Sequence, residues 1–266
     1  MFYILLFIPC ILLGASHAGA KISLDPATEI SPELRREEAV EAYNFFRHRE
    51  NYFLGGHPNS KVQLSLKVRP ILDFELYFAY TQQMFWKITS DSRPFKDISF
   101  NPEIYYEWHR PQRFVQGVKW GLEHKSNGKD EEESRSLDNI FTEINTEFGW
   151  QGMQILWDTR FFWIFDIDWQ TNADIKKFTG FWHTRLTVKG LSENFFPAKT
   201  EFYMQFYPGG EFGTKTHYGA LEAGIKLRAR LFNIMPYIMF QYYYGYMESL
   251  LTYNTVAQSY RIGFLF

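Results

Sequence analysis

The sequence predicts an all-β chain, a transmembrane antiparallel β-barrel of about twelve strands with a short N-terminal arm or helix ahead of it. Three observations carry this. From about Glu50 onward, apolar and polar residues alternate with period two, in runs of the length a tilted membrane strand needs. Aromatic residues make up 20% of the chain, yet the mean hydropathy is only −0.32, so the apolar residues are interleaved rather than gathered into spanning helices. The final segment puts Val256, Tyr260, Ile262, Phe264 and Phe266 on one face, interrupted only by Gln258, with Ala257, Ser259, Arg261 and Gly263 on the other. A soluble sandwich core also favours aromatics, but it does not ask for strands of this length.

The elements follow in order. Phe2 to Leu13 is almost unbroken apolar and Ala18-Gly19-Ala20 is a small-residue cleavage site, so residues 1–20 read as a secretory signal. The run is short for a membrane span. Cys10, the only cysteine, lies inside it, and the rest of the fold owes nothing to disulfides. Residues 21–48 differ in composition. Ser31-Pro32-Glu33 resembles a helix start, and Leu34, Val40, Tyr43 and Phe46 recur at roughly helical spacing, so this stretch is expected to be an arm or short helix. The barrel is expected over 49–266. Its candidate strands are 50–55, 60–69, 74–87, 100–109, 114–126, 137–148, 151–168, 176–190, 199–207, 216–228, 234–247 and 257–266. Gly55-Gly56, His57-Pro58-Asn59, Asn127-Gly128 and Pro208-Gly209-Gly210 supply turn signals between them. An even strand number suits a closed antiparallel barrel, which leaves no edge unpaired. Tryptophans from Trp86 to Trp182 suit interfacial girdles. Net charge is −2, which gives no bias toward nucleic acid.

The most informative stretch is His124-Lys125-Ser126-Asn127-Gly128, because of the strand it ends. In steps of two from Phe114, the residues Phe114, Gln116, Val118, Trp120, Leu122, His124 and Ser126 share a mostly apolar face. Val115, Gly117, Lys119, Gly121, Glu123 and Lys125 take the other. A histidine and a serine therefore sit side by side on a hydrophobic surface. In the next segment Asp138 heads the less polar set, with Ile140, Thr142, Ile144, Thr146 and Phe148. If the two strands pair through the loop 127–136, Asp138 returns beside His124 on the same face, while Asn139 points to the other. Serine, histidine and carboxylate would then meet at adjacent strand ends. Polar groups are out of place on such a face unless they act on something hydrophobic.

Several segments resemble the outer-membrane phospholipase A family. They are Tyr80-Thr81-Gln82, Ser92-Arg93-Pro94-Phe95, Asn101-Pro102-Glu103, the motif from His124 to Gly128, Ser134-Arg135-Ser136, Asp174-Ile175 with Gly180 beyond, and Tyr246-Met247-Glu248-Ser249-Leu250. A chain that ends on such a strand with a terminal Phe also resembles outer-membrane barrels in general. The resemblance covers nearly everything after residue 50. It implies a twelve-stranded outer-membrane barrel that hydrolyses phospholipid and lysophospholipid acyl esters with calcium (Ca2+) and is active as a homodimer. It implies Ser126 as nucleophile, His124 as general base and Asp138 as the third member, where the best-known relatives carry asparagine. For calcium it implies the Ser134 hydroxyl, the Lys129 carbonyl and the Ser92 carbonyl of a second barrel, with Glu131 as a ligand in the monomer. The amide of the nucleophilic serine and calcium-bound water would face the oxyanion. Gln82 matches a glutamine of the family's dimer interface; an interior position is the alternative.

Two other functions fit parts of this pattern. Lipid A deacylases use a similar His-x-Ser-Asn motif, but on a barrel of about eight strands. A passive barrel would use Lys119, Glu123, Glu143, Glu147 and Arg261 either to line a channel or to close the interior with ion pairs.

Overall fold

The computed structural model describes residues 45–71, 74–109, 114–190, 200–210, 215–228 and 236–266, all within the compact unit Val40–Phe266. The expected signal at 1–20 and all of the arm up to residue 44 lie outside the described residues. The strands are β1 Tyr52–His57, β2 Ser60–Val68, β3 Leu76–Trp86, β4 Phe95–His109, β5 Val115–Ser126, β6 Ser136–Trp150, β7 Met153–Ile167, β8 Trp182–Lys189, β9 Thr200–Tyr207, β10 Ala220–Arg228, β11 Tyr237–Gly245 and β12 Ala257–Leu265. Each pairs antiparallel with its neighbours, and β1 closes on β12 to complete a twelve-stranded barrel. None of the described helices is long and apolar enough to cross a membrane.

The alternation sorts side chains as expected. Tyr260, Ile262, Phe264 and Phe266 are exposed on the outer wall, whereas Ser259, Arg261 and Leu265 are buried inside. Trp108, Trp120, Trp150, Trp157, Trp163 and Trp169 are exposed as well. In an isolated chain such a wall would be a defect; in a bilayer it is the solvated face.

Two expectations shift. Residues 176–190 do not form one strand. A five-residue helix, α1 (Ile175–Thr179), precedes β8 because Ile175 and Phe178 bury themselves in a cap over the barrel mouth with Leu137, Ile164, Ile167, Leu250 and Tyr253. The Tyr253 hydroxyl donates to Asp174 ahead of α1; burial first, and this bond second, push its pKa up to about 12. Gly55-Gly56 is not a turn either: both residues lie inside β1. A Cβ at Gly56 would sit 2.1 Å from the Tyr260 carbonyl oxygen, so the glycine lets β1 approach β12.

Ion pairs occupy much of the interior. Lys119 pairs with Glu143 at 2.8 Å, and Arg160 with Glu103 at 2.7 Å. Arg261 bonds Glu248, from the loop before β12, at 2.6 Å. The described part of the N-terminal stretch is extended: Phe46 exchanges two backbone hydrogen bonds with Lys67, and the chain then enters the lumen through His48, Arg49 and Glu50. A polar cavity of about 610 Å³ remains inside.

Candidate active site

The site is built at the end of the barrel where β5 finishes and β6 begins. The register pairs His124 with Asp138 and Ser126 with Ser136. Residues directly opposite in an antiparallel pair share a face, so Ser126, His124 and Asp138 all stand on the outer wall. The imidazole Nδ1 of His124 lies 2.8 Å from Asp138 Oδ1. With Nδ1–H donating to that carboxylate, the lone pair of Nε2 is left to accept a proton. Both side chains are partly accessible, at 42% for His124 and 33% for Asp138, so a substrate can reach them from outside the wall. Below them Leu122 and Ile140 are exposed to the bilayer.

Asn127 organises the loop that follows. Its side chain is buried at 3% exposure; Nδ2 donates to the Glu133 carbonyl at 2.8 Å, and Oδ1 accepts from the Arg135 amide at 2.9 Å. Its own amide donates to the Arg135 carbonyl at 3.1 Å. One asparagine thus holds both ends of the segment carrying Lys129, Glu131 and Ser134. The sequence marks Asn127 as a turn residue and as part of the motif from His124 to Gly128, but not as the clamp of this loop.

Gly128 has φ of 63°, in the left-handed region. A Cβ there would lie 2.7 Å from Cε2 of Phe100, the residue facing Ser126 across β4–β5. Gly128→Ala is therefore expected to cost about 1–2 kcal/mol of backbone strain and to push Phe100 away from Ser126. A lower urea midpoint together with reduced hydrolysis is the expected result; an unchanged midpoint would show that the loop adjusts freely.

The expected calcium ligands gather only in part. Lys129 and Ser134 lie at opposite ends of the short loop, around a 3-10 turn at Glu131–Glu133. The Glu133 carboxyl is held below its ordinary pKa by a hydrogen bond from Lys129 and by that ammonium's charge. Asp168, in the loop after β7, is lowered first by the Thr171 hydroxyl, and also by the Gln170 amide and the Ser134 hydroxyl. Ser134 thus has a carboxylate neighbour that the sequence did not flag. Ser92 lies in the β3–β4 loop at the same end of the barrel and is exposed. No group of three His, Cys, Asp or Glu side chains among the described residues is arranged to hold a metal. Hydroxyl, carbonyl and carboxylate oxygens are nonetheless the donors a hard cation takes, and one barrel offers fewer than the six to eight a calcium ion uses. The donor chemistry of this loop fits a hard cation such as calcium.

Asp166 is the other missed residue. It stands opposite Asp138 on β7, where the ladder is bulged, and its Oδ1 accepts from the Ile167 amide at 3.0 Å. Gln82 lies on the outer wall, since Thr81 is fully buried and Gln83 bonds Gln63 inside. Leu64, Gln82, Phe100, Ser126 and Ser136 form one continuous register row across β2 to β6.

The sequence profile of the phospholipase A1 family matches residues 36–266. The chain belongs to this family. Among the similar family members, phospholipase A1 of Salmonella typhimurium is 27% identical over 233 residues, which span 82% of this chain and 71% of that protein. Phospholipase A1 of Escherichia coli K12 is 26% identical over 186 residues, spanning 66% and 56%. Among solved structures, the calcium-bound dimer of the Salmonella typhi outer membrane phospholipase superposes with a TM-score of 0.69 at 22% identity, over 85% of this chain and 93% of that one. The outer membrane phospholipase A of Escherichia coli gives 0.69 at 21%, over 83% and 93%. Phospholipase A1 family membership makes this chain an outer-membrane hydrolase of membrane phospholipids, with the twelve-stranded barrel of its relatives. The twelve strands exclude the smaller deacylase barrel.

Proposed function

We propose that this phospholipase hydrolyses acyl esters at both glycerol positions of phospholipids, and those of lysophospholipids, using Ser126, His124 and Asp138, with calcium and as a homodimer. The observation that carries the reading is the 2.8 Å contact between His124 Nδ1 and Asp138 Oδ1 on the lipid-facing wall, with Ser126 two residues along the same face. His124 Nε2 takes the proton as the Ser126 oxygen attacks the ester carbonyl carbon. His124 then returns it to the leaving glycerol oxygen. Water, deprotonated by the same nitrogen, releases the fatty acid and regenerates Ser126. Asp138 keeps the imidazole in one tautomer and stabilises the imidazolium. Calcium, when held by Ser134 and Lys129 with Ser92 of a second copy and Glu131 serving the monomer, would supply positive charge near the developing oxyanion. Gln82 supports the dimer: an amide on a lipid-facing wall gains from pairing with its twin across a two-fold axis. Its register row leads directly to Ser126, which would put the subunit contact at the depth of the chemistry. A shared calcium site would also keep a membrane-digesting enzyme silent until two copies meet.

The passive-pore reading loses ground to the ion pairs packed inside the lumen and to the apolar cap over its mouth. The test is fatty-acid release from phospholipids labelled at either position, by detergent-refolded protein, across a calcium titration. Release from both positions in calcium and none in chelator is expected. Ser134→Ala should need about tenfold more calcium for half-maximal rate, the loss of roughly one ligand contact. Full activity in chelator, or in a strictly monomeric crosslinking control, would remove the shared-metal mechanism.

A further inference from the structure

We infer that Arg49, carried into the lumen by the segment ahead of β1, is a positioning residue that holds the strand bearing His124 and Ser126 from behind. This rests on the proposed roles of those two residues. The segment is fixed to the inner wall by the Phe46–Lys67 backbone pair and by the Arg49 amide, which donates to Ser65 Oγ at 3.0 Å. Arg49 Nη2 then donates to Glu103 Oε1 at 2.6 Å and to Glu123 Oε1 at 3.3 Å. These carboxylates stand directly opposite each other on β4 and β5, and both are almost completely buried.

Two like charges face to face in a sheet drive the strands apart unless cations lie between them. Here Arg49 bridges one oxygen of each. Arg160 takes the second oxygen of Glu103 at 2.7 Å, and Asn139 Nδ2 takes the second oxygen of Glu123 at 3.1 Å. Lys125 lies 3.4 Å from Glu123, and His48 Nε2 lies 3.1 Å from Glu103.

The chain of contacts ends at the chemistry. Glu123 immediately precedes His124, Asn139 immediately follows Asp138, and the two inner residues pair in the register row next to the outer pair. The contact Arg49–Glu123–Asn139 inside is therefore the reverse side of His124–Asp138 outside. The seam it closes, β4–β5, is also the one that sets Phe100 against Ser126. Without Arg49, Arg160 still lies 2.7 Å from Glu103 and 3.8 Å from Glu123. The cation hydrogen-bonded to both carboxylates is gone, however, the seam is less well balanced, and His124 and Ser126 shift relative to their neighbours. Displacements of about 1 Å are enough to cost up to a hundredfold in rate.

The structure holds its own control. The next residue, Glu50, anchors the same segment to the opposite wall through Arg185 of β8 and Lys226 of β10. Losing that anchor loosens the segment without touching β4–β5.

The experiment uses the refolded full chain, with kcat and KM on micellar phospholipid, folding followed by heat-modifiable electrophoretic migration, and stability by urea midpoint. Arg49→Ala is expected to lower kcat about tenfold with KM unchanged, and Arg49→Lys to recover part of the loss. Glu50→Gln is expected to lower the urea midpoint comparably while kcat stays at the wild-type value. If Arg49→Ala does not fold, Asn139→Ala tests the other end of the same contact and is expected to show the same loss in kcat. Equal falls in kcat for Arg49→Ala and Glu50→Gln, or wild-type kcat in folded Arg49→Ala or Asn139→Ala, would overturn the inference. Hydrolysis that survives Ser126→Ala removes the site and the inference together; Ser126-dependent hydrolysis at full kcat in Arg49→Ala overturns the inference alone.

Discussion

Ser126→Ala is expected to reduce phospholipid hydrolysis by about 10⁴-fold or more while leaving the barrel folded and calcium uptake unchanged. The magnitude follows from what is removed. His124 has no hydroxyl to deprotonate in the variant, and the only remaining nucleophile is water, held by nothing beyond the surrounding loop. The substitution deletes a single oxygen at the last residue of β5, where it touches neither the lumen network nor the cap over the mouth. Stability should therefore stay within about 0.5 kcal/mol of wild type. Fatty-acid release measured in saturating calcium, with heat-modifiable migration as the folding control, decides the matter. A folded variant that retains a tenth of wild-type activity would move the nucleophile elsewhere, and Ser136, opposite Ser126 in the ladder, would be the first place to look.

Replacing Asp138 separates charge from orientation. Asp138→Ala is expected to cost about 10²- to 10⁴-fold in kcat, because His124 loses the partner of Nδ1 and its ring is free to turn or to take the other tautomer. Asp138→Asn is expected to keep much more activity than Asp138→Ala, because an amide oxygen can still accept from Nδ1–H. An amide in this position often fails because its NH₂ turns toward the imidazole. Asp166 stands opposite residue 138 in the β6–β7 register, a position from which its carboxylate is expected to accept from the NH₂ and leave the carbonyl oxygen on Nδ1. The same logic predicts that Asp138→Asn combined with Asp166→Ala falls well below Asp138→Asn alone. Equal and complete loss in the Ala and Asn variants would show that the carboxylate does more than orient the ring.

Much of this is legible in the sequence. A period-two pattern dictates which side chains face lipid, because a strand offers only two faces. That was enough to set His124 and Ser126 side by side and to send Asp138 to them rather than Asn139. The strand that became α1 was not legible, because Ile175 and Phe178 are apolar in either conformation and only the cap they fill chooses between them. Gly55-Gly56 misled for a similar reason. A glycine pair reads as a turn, and the need for β12 to pass within contact of Gly56 exists only once the barrel closes.

The site divides along the same line. The sequence by itself determined the barrel, the lipid-facing motif and the pairing of His124 with Asp138, since all three depend on alternation and on neighbours joined by one short loop. Only the tertiary structure decided what stands around them. Asp166 stands opposite Asp138 on a third strand, and Asp168 reaches Ser134 from a separate loop. Arg49 meets Glu123 across 74 residues of chain. Those contacts are set by barrel closure and by a segment threading the lumen. Long-range burial and charge balance choose such partners, and no local periodicity encodes them.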